Sequence, residues 1–143
     1  MQNPPPLQAG DETRKTALGL DANLGAALGY PIGIIALIVF IMEKENKFAR
    51  FHALQSLLYH VAWVILFIVL AVVFTILGIV GGAVASSASS SAGGCLFALI
   101  PLLWLAVVLA YVALAIFAAI KAYGGKWFKL PFIGNMAEKI VNK

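Results

Sequence analysis

The sequence predicts an all-α polytopic membrane protein with three transmembrane helices and a short C-terminal amphipathic helix on the membrane surface. Three observations carry that prediction. The 143 residues are 62% hydrophobic and 11% charged, whereas soluble domains stand near half apolar and a quarter charged. Residues 24–42, 57–80 and 96–120 form charge-free runs of 19, 24 and 25 residues. At about 1.5 Å per residue they reach roughly 28, 36 and 37 Å, against a hydrocarbon core of about 30 Å. None of the three runs has the continuous polar face that a helix of a soluble bundle needs.

The first 20 residues are polar, begin with a proline cluster and carry mixed charge. They read as a flexible tail, and no apolar stretch marks them as a cleaved signal. Residues 21–143 read as one membrane domain, with spans at about 24–42, 51–80 and 96–120. The single cysteine, Cys95, leaves no internal disulfide and no cysteine-rich metal site.

Span one carries Gly25, Gly29 and Gly33, a repeated G-x-x-x-G. Such a face lets another backbone approach closely in lipid, and alanine pairs of span three (Ala106 and Ala110, Ala115 and Ala119) could receive it. Pro31 within the run predicts a kink near Tyr30. Asp21 and Asn46 are candidate caps for the first and second helices.

The stretch NKFARFHALQSLLYH, residues 46–60, concentrates polar chemistry at the foot of span two. At about 100° per residue, His52, Gln55, Ser56 and Tyr59 fall on one narrow stripe with Trp63, and His60 flanks it. Polar groups at that depth need partners. The stripe is either an interhelical hydrogen-bond network or a binding site for a peptide, lipid head or ion. It is expected to be buried beside the C-terminal helix. His52 and His60 lie about 12 Å apart along one helix, too far to share a metal ion. Ser56 has no acidic partner, and Glu43 and Glu45 read as a solvated cluster with Lys44, Lys47 and Arg50. No catalytic, cofactor or metal site is therefore expected, and the chain is not read as an enzyme.

Residues 81–94 form a Ser/Gly/Ala-rich connection without charge, and span three ends at Gly124 and Gly125. Lys126, Trp127 and Lys129 then suit an interfacial anchor. Ile133, Met136, Ala137, Ile140 and Val141 recur at helical spacing, which predicts the amphipathic helix over about 132–141.

Lys and Arg number two before span one, three in the first loop, none in the second and five after span three. Three spans would place eight on one side and two on the other. The positive-inside rule then puts the N-terminus outside and the C-terminus in the cytoplasm of the cell membrane. No basic pattern points to nucleic acid. Lipid, and further copies or other membrane proteins, are the expected partners.

EKENKFARFHALQS and GKWFKLPFIGNMAEKI resemble motifs of a widespread, largely uncharacterised group of small prokaryotic membrane proteins. That group belongs with the small multispanning subunit of the chloroplast inner-envelope import translocon, the Tic complex. The resemblance implies a multispanning fold and a part in moving polypeptides. The residues themselves suggest an assembly or interaction component, because span three and the upper half of span two offer no polar lining for a path.

Overall fold

The computed structural model describes residues 15–87 and 91–142, with backbone only at 85, 87 and 91–98. Five helices follow in order: α1 (Ala22–Leu28), α2 (Gly33–Met42), α3 (Lys47–Ser87), α4 (Ser91–Tyr123) and α5 (Ile133–Val141). No strand occurs among the described residues; an isolated bridge joins Lys15 and Asp21. Among the described residues two helices are long and apolar enough to cross a membrane, over Lys47–Val84 and Leu99–Tyr123.

The expected first span is not one helix. Pro31 has no N–H to continue the ladder, and Ile32 takes an extended conformation (φ −129°, ψ 89°) that ends helical geometry. The chain then folds back: a Cβ placed on Gly29 would lie 3.1 Å from that of Ala36. The Ala17 N–H donates to Glu43 Oε2 at 2.8 Å. Both ends of the α1–α2 hairpin therefore meet. Helices of 7 and 10 residues extend only about 10 and 15 Å and do not reach across a bilayer. The glycine register breaks with the helix. Gly25 meets the Thr16 methyl, Gly29 meets Ala36 and Gly33 meets the His60 ring, three contacts in place of one face turned to span three.

The ends of the hairpin are held by Glu43, which is a buried knot and not part of a solvated cluster. Its Oε1 accepts the Glu45 and Asn46 N–H groups at 3.1 and 3.0 Å, and its Oε2 accepts Ala17. Asn46 caps α3 through the Ala49 N–H at 3.1 Å, while Asp21 precedes α1 without a side-chain cap bond. Burial alone would raise the Glu43 carboxyl, but the N–H donors overcome it and hold it below the ordinary 4.5. A depressed carboxyl contributes stability that is full above its unfolded pKa and lost as pH falls through the folded one. Glu43→Gln keeps one acceptor oxygen where the carboxylate has two and is expected to cost about 1–3 kcal/mol at neutral pH. That deficit should shrink in thermal unfolding scans as the pH falls below about 4.

The connection expected over 81–94 is mostly helix. α3 continues to Ser87 and α4 starts at Ser91; residues 88–90 lie outside the described residues. An unpaired backbone group in hydrocarbon costs several kcal/mol, more than the roughly 1 kcal/mol helix penalty of a glycine. The helices therefore persist through Gly81 and Gly82.

The chain divides into two compact units, Met1–Val61 with Leu114–Lys143, and Ala62–Ala113. In the second, rings of α3 and α4 pair in a ladder: Trp63 with Tyr111 at 5.3 Å, Phe67 with Trp104 at 5.7 Å and Phe74 with Trp104 at 5.6 Å. Many of its described large apolar side chains, such as Ile68, Val72, Ile76 and Leu109, are exposed, as lipid-facing residues are.

The first unit has a conventional core. Phe51 and Leu54 of α3 pack on Ala137 and Val141 of α5, with Phe40, Leu58 and Trp127 alongside. Val39 packs on Ala49 and Ala53. The face of α5 that docks is thus Gly134, Ala137 and Val141. Met136 and Ile140 of the predicted amphipathic helix remain exposed. Before α5, Phe132 has φ 62° and ψ −54°, and the Ile133 N–H donates to the Pro131 carbonyl at 2.7 Å. This is a γ-turn of the strained hand, and such backbone costs of the order of 1–3 kcal/mol.

A buried polar network that joins the hairpin to the C-terminal strap

His52, Gln55 and Ser56 share one face of α3 because their spacing of three and four residues matches the helical turn. All three are fully buried. Opposite them lie the tip of the α1–α2 hairpin and the strap formed by residues 124–132 between α4 and α5.

Gln55 is the hub. Its Nε2 donates to the Tyr30 hydroxyl at 2.6 Å and to the Phe128 carbonyl at 3.1 Å. Its Oε1 accepts the Leu130 N–H at 3.1 Å. His52 Nε2 stands 3.1 Å from the Lys126 carbonyl and Nδ1 stands 3.0 Å from the Tyr30 hydroxyl. A carbonyl only accepts, so Nε2 carries the proton and the Tyr30 O–H donates to Nδ1. The Tyr30 oxygen is then free to accept from Gln55. One direction of donation runs through the whole chain of bonds, and each member is satisfied.

Ser56 Oγ donates to the Gly29 carbonyl at 2.7 Å, one of the acceptors left where α1 ends. His60 Nδ1 donates to the Ser56 carbonyl at 2.7 Å, and the His60 ring closes against Gly33. Tyr59 is buried with its ring edge-on to His60 at 5.8 Å. Trp63, the upper end of the stripe, packs in the aromatic ladder of the other unit.

The strap does not form a free interfacial anchor. Trp127 packs on protein, 5.6 Å from the Phe48 ring and 4.9 Å from Phe51. Lys129 Nζ donates to both carboxylate oxygens of Glu138 at 2.8 Å and ties the strap to α5. The Lys126 side chain alone of the three is exposed. Among the described residues no three of His, Cys, Asp and Glu converge where a metal ion could sit.

Tyr30, Glu43 and Gly134 belong to this construction and carry no sequence assignment beyond a kink and a charge cluster. The legible signal for the first was a Gly-Tyr-Pro-Ile-Gly turn sequence at residues 29–33 inside an apolar run.

Residues 12–137 match the MamF/MmsF family, described as the magnetosome magnetite crystal formation protein family. The chain belongs to this family. It is also similar to a UPF0132 membrane protein of Methanocaldococcus jannaschii, 38% identical over 130 residues that cover 87% of this chain and 93% of the relative. An Archaeoglobus fulgidus UPF0132 membrane protein is 31% identical, over 82% of this chain and 92% of the relative. A second M. jannaschii protein of that name is 33% identical over 88% and 74%. No solved structure matches. This is a prokaryotic membrane protein family, and these MamF/MmsF and UPF0132 matches carry no link to the chloroplast translocon.

Proposed function

We propose that the chain is an assembly component of the cell membrane, with α3 and α4 anchoring a rigid cytoplasmic unit that binds further copies or other membrane proteins. The observation that carries this reading is the fate of the polar stripe. His52, Gln55 and Ser56 direct their hydrogen bonds at Tyr30, Gly29 and the strap. They act as glue between elements and present no lining to a solute, whereas a conducting path needs polar groups open to water. In the apolar half of α3, Thr75 Oγ1 donates to the Ala71 carbonyl and Ser86 Oγ to the Ala83 carbonyl of the same helix.

The hairpin also changes the orientation that the charges favour. With Ala17 bonded to Glu43, the N-terminal segment and the α2–α3 connection lie at one end. A reading with two crossings puts all ten Lys and Arg on one side, and the positive-inside rule favours that side as cytoplasmic more strongly than an eight-to-two split does. Both termini are cytoplasmic in this reading.

A translocation role, the alternative, rests on the resemblance of the two motifs to the chloroplast import subunit. The family's description, magnetite crystal formation, suits a protein that positions other components and assigns no site here.

The test uses single cysteines in a Cys95→Ser background. Lys15→Cys and Lys139→Cys should react with an impermeant maleimide only after permeabilisation, and Ser86→Cys from outside. Labelling of Lys15→Cys from outside would restore three crossings. Crosslinkers placed at Lys44 and Lys139 in native membranes should give discrete protein adducts. Solute flux through proteoliposomes, without such adducts, would favour transport.

A further inference from the structure

α5 has three sectors, one more than an amphipathic helix packed on protein needs. At about 100° per residue, and counting from Gly134, Ala137 and Val141 lie at about 300° and 340° and face α3. Met136 and Ile140 lie at about 200° and 240°, with Phe132 just before the helix, while Asn135, Glu138, Lys139 and Asn142 fill about 40° to 140°. The protein-facing sector is buried, yet Phe132, Met136 and Ile140 are 86%, 54% and 46% exposed. One sector on protein, one apolar and open, and one polar is the pattern of a helix held where hydrocarbon and water meet.

The strap adds a second, independent observation. The γ-turn centred on Phe132 has a positive φ that suits glycine, not a bulky aromatic residue. It holds the most exposed large apolar side chain of the described residues outward. Backbone strain of this kind persists where a function repays it. A phenylalanine held out into water gains nothing, whereas one held out into acyl chains does.

Charge identifies the lipid. Among the described residues of this unit Lys15, Lys44, Lys47, Arg50, Lys121, Lys126, Lys129 and Lys139 face only Asp21, Glu43, Glu45 and Glu138. Glu43 is locked by backbone donors and Glu138 by Lys129. Lys126 and Lys139, exposed on the strap and on α5, have no such carboxylate and suit anionic headgroups.

We propose that Phe132, Met136 and Ile140 form a lipid-inserting edge, seated in a leaflet whose anionic phospholipids are engaged by Lys126 and Lys139. The proposal rests on α3 and α4 being embedded in a membrane and not on the assembly role, so either can fail alone.

The test places an NBD label on Phe132→Cys, Met136→Cys or Asn135→Cys of the full chain, with Cys95→Ser, in vesicles of phosphatidylcholine with or without phosphatidylglycerol. At 132 and 136, brominated acyl chains should quench most of the emission and aqueous iodide little, more so with phosphatidylglycerol. At 135, iodide should dominate. Lys126→Gln with Lys139→Gln should abolish the dependence on phosphatidylglycerol while circular dichroism stays unchanged. Phe132→Gly removes the side chain and suits the positive φ, so it should fold as well as the parent and lose most bromolipid quenching of a label at 136. Iodide quenching at 132 and 136 in both lipid mixtures overturns the proposal. Protection from both quenchers also overturns it, because protein then covers the edge.

Discussion

Gln55→Leu is expected to release the chain beyond Lys126 from α3. Loss of the amide leaves the Leu130 N–H and Phe128 carbonyl without their partner and takes the donor from the Tyr30 oxygen. A buried polar group deprived of its partner costs about 1–3 kcal/mol. Three such groups set against partial relaxation give a loss of about 3 kcal/mol, large beside the total stability of 5–15 kcal/mol usual for a domain. Limited proteolysis in detergent should cut after Lys126 much faster in the variant. The nearly isosteric Gln55→Glu removes the amide donors and should behave like leucine near neutral pH. Unchanged cutting in both would mean that the strap is held by the Phe51–Val141 core alone.

Gly134→Ala is expected to push α5 off α3, in contrast to the same change at Gly81. A Cβ at 134 would lie 2.7 and 2.8 Å from Lys129 Cβ and Cα, and 2.8 Å from Gln55 Oε1. Backbone at that distance cannot rotate away, so overpacking of about 1–3 kcal/mol applies. It outweighs the helix-propensity gain of alanine, which is about 1 kcal/mol at most. At Gly81 nothing lies within 4 Å, so only the gain remains and thermal stability should rise slightly. Equal tolerance at both sites would show that α5 is not seated as described.

The long elements were legible because apolar length and purity decide them, and the cap Asn46 and the shared face of His52, Gln55 and Ser56 follow from helical spacing alone. The hairpin was not legible as such. A run of 19 apolar residues satisfies lipid whether it crosses or turns back, and hydropathy does not record direction. Pro31 signals a break, but the folding back is decided by Ala36 seating on Gly29 and by Glu43 closing the base. The role of Glu43 was hidden for a related reason: its partners are backbone N–H groups, which every residue owns and no side-chain pattern reveals. α5 shows the opposite difficulty. Its periodicity was clear, but small and large apolar residues counted alike. Only packing separates Ala137, which is fully buried, from Met136, which is mostly exposed.

The span of the Gln55 hub has a consequence for how the chain is made. Its strap partners lie 73 and 75 residues further on. At 5–20 residues per second a ribosome needs about 4–15 s to reach them. Throughout that interval the bonds of Gln55 and His52 to the strap are unmade, and the hairpin tip is held by Ser56 and by Tyr30's bonds to His52 and Gln55. The newborn protein therefore passes through a stage in which the hairpin can pack on α3 while the strap is still unlatched. Quality control that reads unpaired polar groups would see every copy during that stage, and only those that complete the strap would escape it.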